Sequence, residues 1–159
     1  MRSTGYRIAD EPKPSGLAHL AVNPFWPFLG VMFGGAWLSW PWFVVNGFAV
    51  GSPTRRRELS IAIGGFVLSG LLLLSIVGLA GTGRIPERGV PYALLTLTAL
   101  KLGVTYWLHA LQSSTFEVYE YYGGAVRQGF LVIFAAYLLS RAAAPKLLGA
   151  APLLFLWLG

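Results

Sequence analysis

The sequence has no cysteine and few charged side chains. Without cysteine the chain can form no disulfide, thiol nucleophile, iron–sulfur cluster or cysteine-ligated zinc site. Only 11% of the 159 residues are charged, against about 25% in soluble proteins, and the mean hydropathy is +0.62. Walker loops, nucleophile elbows and His-Glu-x-x-His motifs are also missing, so we expect no enzyme. The composition predicts an all-α integral membrane protein.

The longest apolar run, residues 59–83, contains no charged side chain. A helix needs about 20 apolar residues to cross a bilayer core of about 30 Å, so this run is long enough to span. We predict a transmembrane domain of four helices over residues 24–140, with spans near residues 23–52, 59–80, 90–111 and 129–139. A polar tail, residues 1–23, precedes it at the membrane surface, and residues 117–128 form a polar connector between the last two spans.

Two apolar stretches allow more than one structure. Pro41 interrupts the first, which is either a span kinked near this proline, the interpretation we favour, or a broken pair of half-helices. The C-terminal segment, residues 141–159, is hydrophobic but is interrupted by Arg141, Pro145 and Lys146. We predict that it associates with the membrane without crossing as a straight helix. It is either a re-entrant or interfacial tail, or the second half of a fourth span broken at proline.

Small residues at helical spacing predict close helix packing in the first two spans. The predicted packing positions are Gly30, Gly34, Gly35, Ser60, Gly64, Gly65 and Ser69.

The net charge of +6 comes from basic residues beside apolar runs, which favours lipid headgroups over nucleic acid as partners. The tightest basic cluster is Arg55, Arg56 and Arg57, in the turn between the first two predicted spans. By the positive-inside rule we place this turn in the cytoplasm and both termini outside. The predicted location is the cytoplasmic (inner) membrane of a bacterium.

A resemblance accompanies this pattern. Gly34-Gly35, Asn46, Gly51 and Pro53 before the arginines resemble the signature of a family of small uncharacterised bacterial multi-pass membrane proteins. The resemblance continues to the fourth predicted span, through Pro91, Leu111-Gln112 and Gly123-Gly124. It implies a multi-pass architecture and names no activity.

The third predicted span carries the remaining chemistry. Thr98, Lys101, Thr105, His109 and Gln112 recur every three or four residues, so we expect one polar stripe on a helix face. The stripe either lines a path for an ion or small solute, or makes hydrogen bonds between helices with Lys101 facing a carboxylate of another subunit. All six acidic residues, Glu58 included, fall in predicted tails or loops, so we expect no carboxylate inside a span.

His109 is the one histidine near a predicted span and could hold a haem or a chlorophyll-type magnesium as a single ligand. More often such a histidine makes hydrogen bonds at an interface. Glu117 and Glu120 lie one helical turn apart, and we interpret them as a solvated face rather than a metal or acid–base pair.

Three functions are compatible with these features. The first is a structural or accessory subunit that packs against other integral membrane subunits. The second is a channel or transporter that acts as a homo-oligomer with the polar stripe along its path. The third is a pigment or haem holder through His109. They differ in what should face Lys101: a partner's acid, water and ions, or a cofactor carboxylate.

Overall fold

The computed structural model describes residues 15–150 and 152–159, and within them the chain is all-helical. Fourteen residues of the predicted tail therefore lie outside the described part. Six α-helices follow one another: α1 Phe25–Phe33, α2 Ala36–Val50, α3 Arg55–Gly81, α4 Val90–Tyr121, α5 Phe130–Ala150 and α6 Pro152–Leu158. Short 3₁₀ turns occupy Ala18–Leu20 and Glu87–Gly89.

Two of these helices are long and apolar enough to cross a membrane, the 27-residue α3 and the 32-residue α4. At 1.5 Å per residue they measure about 40 and 48 Å. Only 28% and 22% of their most apolar windows are buried inside the molecule, whereas the core helix of a soluble protein would be mostly buried. Four spans are predicted, and the described residues contain two helices that are both long and apolar enough to span.

The first predicted span is broken at Gly34-Gly35, so the favoured kink at Pro41 is wrong. Gly35 has φ +88° and ψ 178°, a conformation that only glycine adopts readily, and this reverses the chain between α1 and α2. Pro41 lies within α2. The two short helices pack on each other, and the Ser39 hydroxyl donates to the carbonyl of Pro27 (2.7 Å). Neither is long enough to span alone.

The core lies where α2, α3 and α4 meet. Its buried apolar side chains are Ala36, Trp40, Phe43, Ala62 and Leu108. The helices approach closely at Gly65, where an added Cβ would lie 2.9 Å from Val104 and 3.1 Å from the Trp40 ring. Gly65 has no room for a larger side chain, so its smallness sets the distance between α3 and α4.

The packing face of α3 is rotated from the predicted one. Ser60 and Gly64 are exposed, and a Cβ at Gly64 would meet nothing within 4 Å. The buried positions recur every three or four residues instead: Glu58, Ala62, Gly65, Ser69, Leu73 and Ile76. Of the four predicted positions on α3, Gly65 and Ser69 therefore lie on the buried face, and Ser60 and Gly64 lie on the outward face.

The last helices extend beyond their predicted ends. α4 continues to Tyr121, which places Glu117 and Glu120 exposed on its last turns rather than in a connector. α5 continues past Leu139 to Ala150, so the predicted boundary between residues 140 and 141 lies inside a helix. α6 then folds back onto α3, where the Trp157 indole N–H donates to the carbonyl of Phe66 (2.9 Å).

Candidate functional site

The polar residues of α4 face three other helices of the same chain. Lys101, Thr105 and Gln112 are buried, His109 is half-buried, and Thr98 is exposed at the edge. Because α4 turns once per 3.6 residues, this spacing keeps the buried members on one face. Lys101 contacts α6, Thr105 contacts α2, and Gln112 contacts both α2 and α3.

Gln112 belongs to a group of four side chains, Ser52, Thr54, Glu58 and Gln112, here named the Glu58 layer. Its centre is the carboxylate of Glu58, which is 0% exposed. One carboxylate oxygen accepts hydrogen bonds from the hydroxyls of Ser52 (2.8 Å) and Thr54 (2.7 Å). The other accepts from the amide nitrogen of Gln112 (2.6 Å). Three donors thus surround a side chain that is wholly removed from solvent.

Local sequence builds this layer from the turn between α2 and α3. Gly51 ends α2 with φ +72°, the left-handed conformation common after helix ends, and Pro53 follows. The turn brings the hydroxyls of Ser52 and Thr54 to Glu58, one turn into α3. On α2, Gly47 leaves the space for the carboxylate, since an added Cβ would overlap the Glu58 oxygen.

Glu58 makes no ion pair with a described residue, and its donors are neutral. Its position in the first turn of α3 provides further stabilisation, because the unpaired N–H groups there carry partial positive charge. The assignment of Glu58 to a loop is therefore wrong, because Glu58 lies in the first turn of α3 and is buried.

The amide of Gln112 also joins α4 to α2. Its nitrogen donates both to Glu58 and to the backbone carbonyl of Phe43 (2.5 Å). Since both neighbours are acceptors, the nitrogen and not the oxygen must face them. The amide oxygen is buried and has no partner among the described residues. One side chain therefore links three helices.

Asn46 fixes the segment before α1 to the same end of the helix group. Its side-chain oxygen accepts from the N–H of Val22 (3.1 Å), and its nitrogen donates to the carbonyl of Val22 (2.6 Å). Val22 also lies beside Arg127, whose N–H donates to the carbonyl of Ala21 (2.9 Å). Residues 15–23, part of the predicted surface tail, are thus hydrogen-bonded to the helices.

In the middle of the stripe, Thr105 joins α4 to α2. The indole N–H of Trp40 donates to its hydroxyl (2.9 Å), and the hydroxyl donates to the carbonyl of Lys101 (2.8 Å). Trp40 is fully buried, so this bond satisfies the one polar atom of a large apolar side chain.

At the far end of the stripe, Lys101 is 6% exposed and its ammonium donates to the backbone carbonyl of Leu156 (2.8 Å). Leu156 lies near the C-terminal end of α6, where carbonyls have no partner within the helix and carry partial negative charge. A lysine at mid-helix costs about 2.5–3.5 kcal/mol on membrane-insertion scales, so one such bond offsets only part of the cost. What faces Lys101 is a carbonyl of its own chain, which was not among the predicted alternatives.

His109 packs against Phe28 with ring centroids 5.1 Å apart, and its Nε2 lies 3.4 Å from the hydroxyl of Ser113. Its Nδ1 is buried without a partner among the described residues. His109 lines none of the three cavities described here, which have volumes of about 490, 390 and 430 Å³. Residues 15–150 and 152–159 also hold no group of three or more metal-ligating side chains.

The remaining residues that the sequence analysis names lie at opposite ends of the helix group, the glycines of the first predicted span at one end and the three arginines at the other. Gly30 packs against Ser39, and Gly34 and Gly35 form the break between α1 and α2. A Cβ at Gly35 would lie 2.6 Å from the carbonyl of Leu158, so the last residues of α6 rest on this break. The three arginines are exposed at the Glu58 end, where Arg55 lies over the Phe48 ring and Arg57 over the Trp107 ring.

Sequence reasoning missed Glu58, Ser52 and Thr54. The sequence does contain a signal that Glu58 is buried. Glu58, Ala62, Gly65 and Ser69 are separated by four, three and four residues, which is the spacing of one helix face. The three adjacent arginines obscured it, since charged residues in a row indicate a solvated turn.

Comparison of the chain with protein-family models, curated proteins and solved structures finds no match. The family resemblance stays a prediction.

Proposed function

We propose that the chain is a non-enzymatic integral membrane protein that acts as a structural or accessory subunit. The observation that supports membrane insertion best is the outward face of α3. Its large apolar side chains there are between 40% and 62% exposed: Ile63, Val67, Leu68, Leu71, Leu74 and Val77. An apolar surface this continuous needs lipid or protein against it.

The interior supports a structural role. Gln112, Thr105 and Asn46 use their polar groups to join helices or to hold the chain before α1. These contacts stabilise one arrangement of the helices, which suits a subunit that presents fixed apolar faces to neighbouring subunits and lipids. The bacterial cytoplasmic membrane and a cytoplasmic position for the three arginines belong to the same proposal.

The stripe is less suited to the channel alternative. Lys101, Thr105 and Gln112 are hydrogen-bonded to α6, α2 and α3, and Trp40 fills the space beside Thr105. A path along the stripe would require these contacts to open. The pigment or haem alternative would require a cavity that reaches His109.

Two measurements test the proposal. Alkaline carbonate should leave the full chain in the membrane pellet, and release into the supernatant would contradict membrane insertion. Extraction in a mild detergent should then give a heteromeric particle of fixed stoichiometry, identified from its mass and protein composition. A colourless homo-oligomer would contradict the accessory role and favour a channel, and visible absorption in a homo-oligomer would favour the pigment alternative.

A further inference from the structure

Two cavities adjoin each other beside α6. The first has a volume of about 490 Å³ and lies between α1, α2, α5 and α6. The second, of about 390 Å³, lies between α1, α4 and α6. They share Val31, Met32, Phe155 and Gly159 as lining residues. Both volumes fall within the range of about 300–1,000 Å³ typical of small-molecule sites.

The chemistry of the two cavities differs. The first is lined mainly by apolar side chains, among them Met32, Phe33, Trp37, Leu154 and Leu158. The second is also largely apolar, but Lys101 lies in its wall and is the one cation among its lining residues. An apolar space with a cation at one side matches an amphiphile with an anionic head.

The ammonium of Lys101 can donate further hydrogen bonds to such a head. An ammonium has three N–H donors, and the bond to the Leu156 carbonyl is the only one that its nitrogen makes within the described residues. The described part of the chain also offers it no ion pair. A buried cation with two donors left over gains strongly from an anion that enters the cavity beside it.

We propose that the two cavities bind a long-chain fatty acid, with its carboxylate at Lys101 and its acyl chain in the first cavity. One ammonium without a nearby arginine fits a singly charged carboxylate better than a phosphate, for which guanidinium groups are better suited. This site is independent of the accessory role, because it depends only on residues of this chain.

The test uses the full chain in a neutral detergent and a fatty acid brominated in the middle of its chain. Bromine quenches nearby tryptophan fluorescence, and Trp37 lines the first cavity. We expect saturable quenching by the acid, and at least tenfold weaker binding of its methyl ester, which has the same chain without the charge. Trp37→Phe should remove the largest saturable component.

Variants separate the head contact from the chain contact. Lys101→Met should weaken binding of the acid at least tenfold, while Arg88→Met, which removes an exposed cation from the loop before α4, should leave it unchanged. Equal binding of acid and ester by the unmodified chain would overturn the proposal even if Lys101→Met fails to fold. Quenching that survives unchanged in Trp37→Phe would also overturn it. A brominated phosphatidylglycerol that binds as tightly as the acid would overturn the assignment to a fatty acid.

Discussion

The Glu58 layer and the surroundings of Lys101 lie on the same face of α4. The two buried charged groups differ in how many hydrogen bonds they make and in how tightly they are packed. Glu58 is held by three side-chain donors and touches helices on two sides, with Gly47 fitted against it. Lys101 makes one hydrogen bond and borders a cavity of about 390 Å³. Both side chains are almost wholly buried, so burial alone does not distinguish them.

The difference indicates two roles for buried polar groups. A charge that is fully hydrogen-bonded in a packed environment stabilises a specific arrangement and has little capacity for a ligand. A charge that makes one hydrogen bond to the protein and borders a cavity costs stability, and such a residue is by default a candidate for binding a ligand. By this criterion the Glu58 layer is structural and Lys101 marks a binding site. Substitutions at the two ends should therefore have opposite consequences.

The largest effect should come from Gln112→Leu. This change leaves one buried carboxylate oxygen of Glu58 without its donor, and it removes a second donor from the Phe43 carbonyl, which keeps its partner within α2; we expect a loss of about 3 kcal/mol. Unfolding of the purified protein by added sodium dodecyl sulfate in mixed micelles measures the loss. Glu117→Leu, at an exposed position of the same helix, is the control and should change stability by less than about 0.5 kcal/mol. Equal stability of the two variants would mean that Gln112 does not support Glu58.

Gly47→Ala should destabilise by about 2 kcal/mol, because the new Cβ overlaps a carboxylate that three hydrogen bonds hold in place. Gly64→Ala is the matched control, since it adds the same methyl group to a helix where nothing lies within 4 Å. Alanine favours a helix over glycine by about 1 kcal/mol, so this control should be neutral or stabilising. If Gly47→Ala were equally harmless, the Glu58 layer would be loose rather than packed.

Much of the helical structure could be predicted from the sequence, and the Glu58 layer could not. The apolar runs indicate α3 and α4, and the spacing of Lys101, Thr105 and Gln112 predicts their common face. Local composition sets both features. The burial of Glu58 depends on a contact with Gln112, 54 residues away in sequence, and on the rotation of α3 by which Ala62 and not Gly64 faces inward. Composition does not determine that rotation, because small residues occur on both faces.

The break at Gly34-Gly35 shows the same limit. Proline at position 41 is the stronger local signal for a kink, yet α2 accommodates it within the helix. The helix is interrupted at Gly35 instead. The positive φ of Gly35 and its contact with the carbonyl of Leu158 both exclude a side chain at this position. That contact comes from the other end of the sequence. Local patterns therefore indicate which helices form, and distant contacts decide where they end.

Asn46→Ala should release the segment before α1 without unfolding the helices. It removes both hydrogen bonds to the backbone of Val22, for which we expect a local loss of about 1.4 kcal/mol. This corresponds to roughly tenfold faster hydrogen exchange at the Val22 amide. Exchange measured by mass spectrometry on a peptide over residues 15–23 tests this, with Glu87→Ala, at an exposed position in the loop before α4, as the control. Unchanged exchange in Asn46→Ala would show that the pairing with residue 127 suffices to hold the segment.

Lys101→Met should have the smallest effect on stability, within about 1 kcal/mol of the unmodified chain. The carbonyl of Leu156 loses its donor, which costs about 1–3 kcal/mol, but the chain no longer buries an ammonium whose insertion costs about 2.5–3.5 kcal/mol. The same mixed-micelle unfolding measures it, and Trp157 fluorescence reports whether α6 stays on α3, since its indole bonds the carbonyl of Phe66. A loss as large as that of Gln112→Leu would make Lys101 a structural residue like Glu58, and the distinction between the two ends would fail. A small change together with lost fatty-acid binding is what a charge kept for a ligand requires.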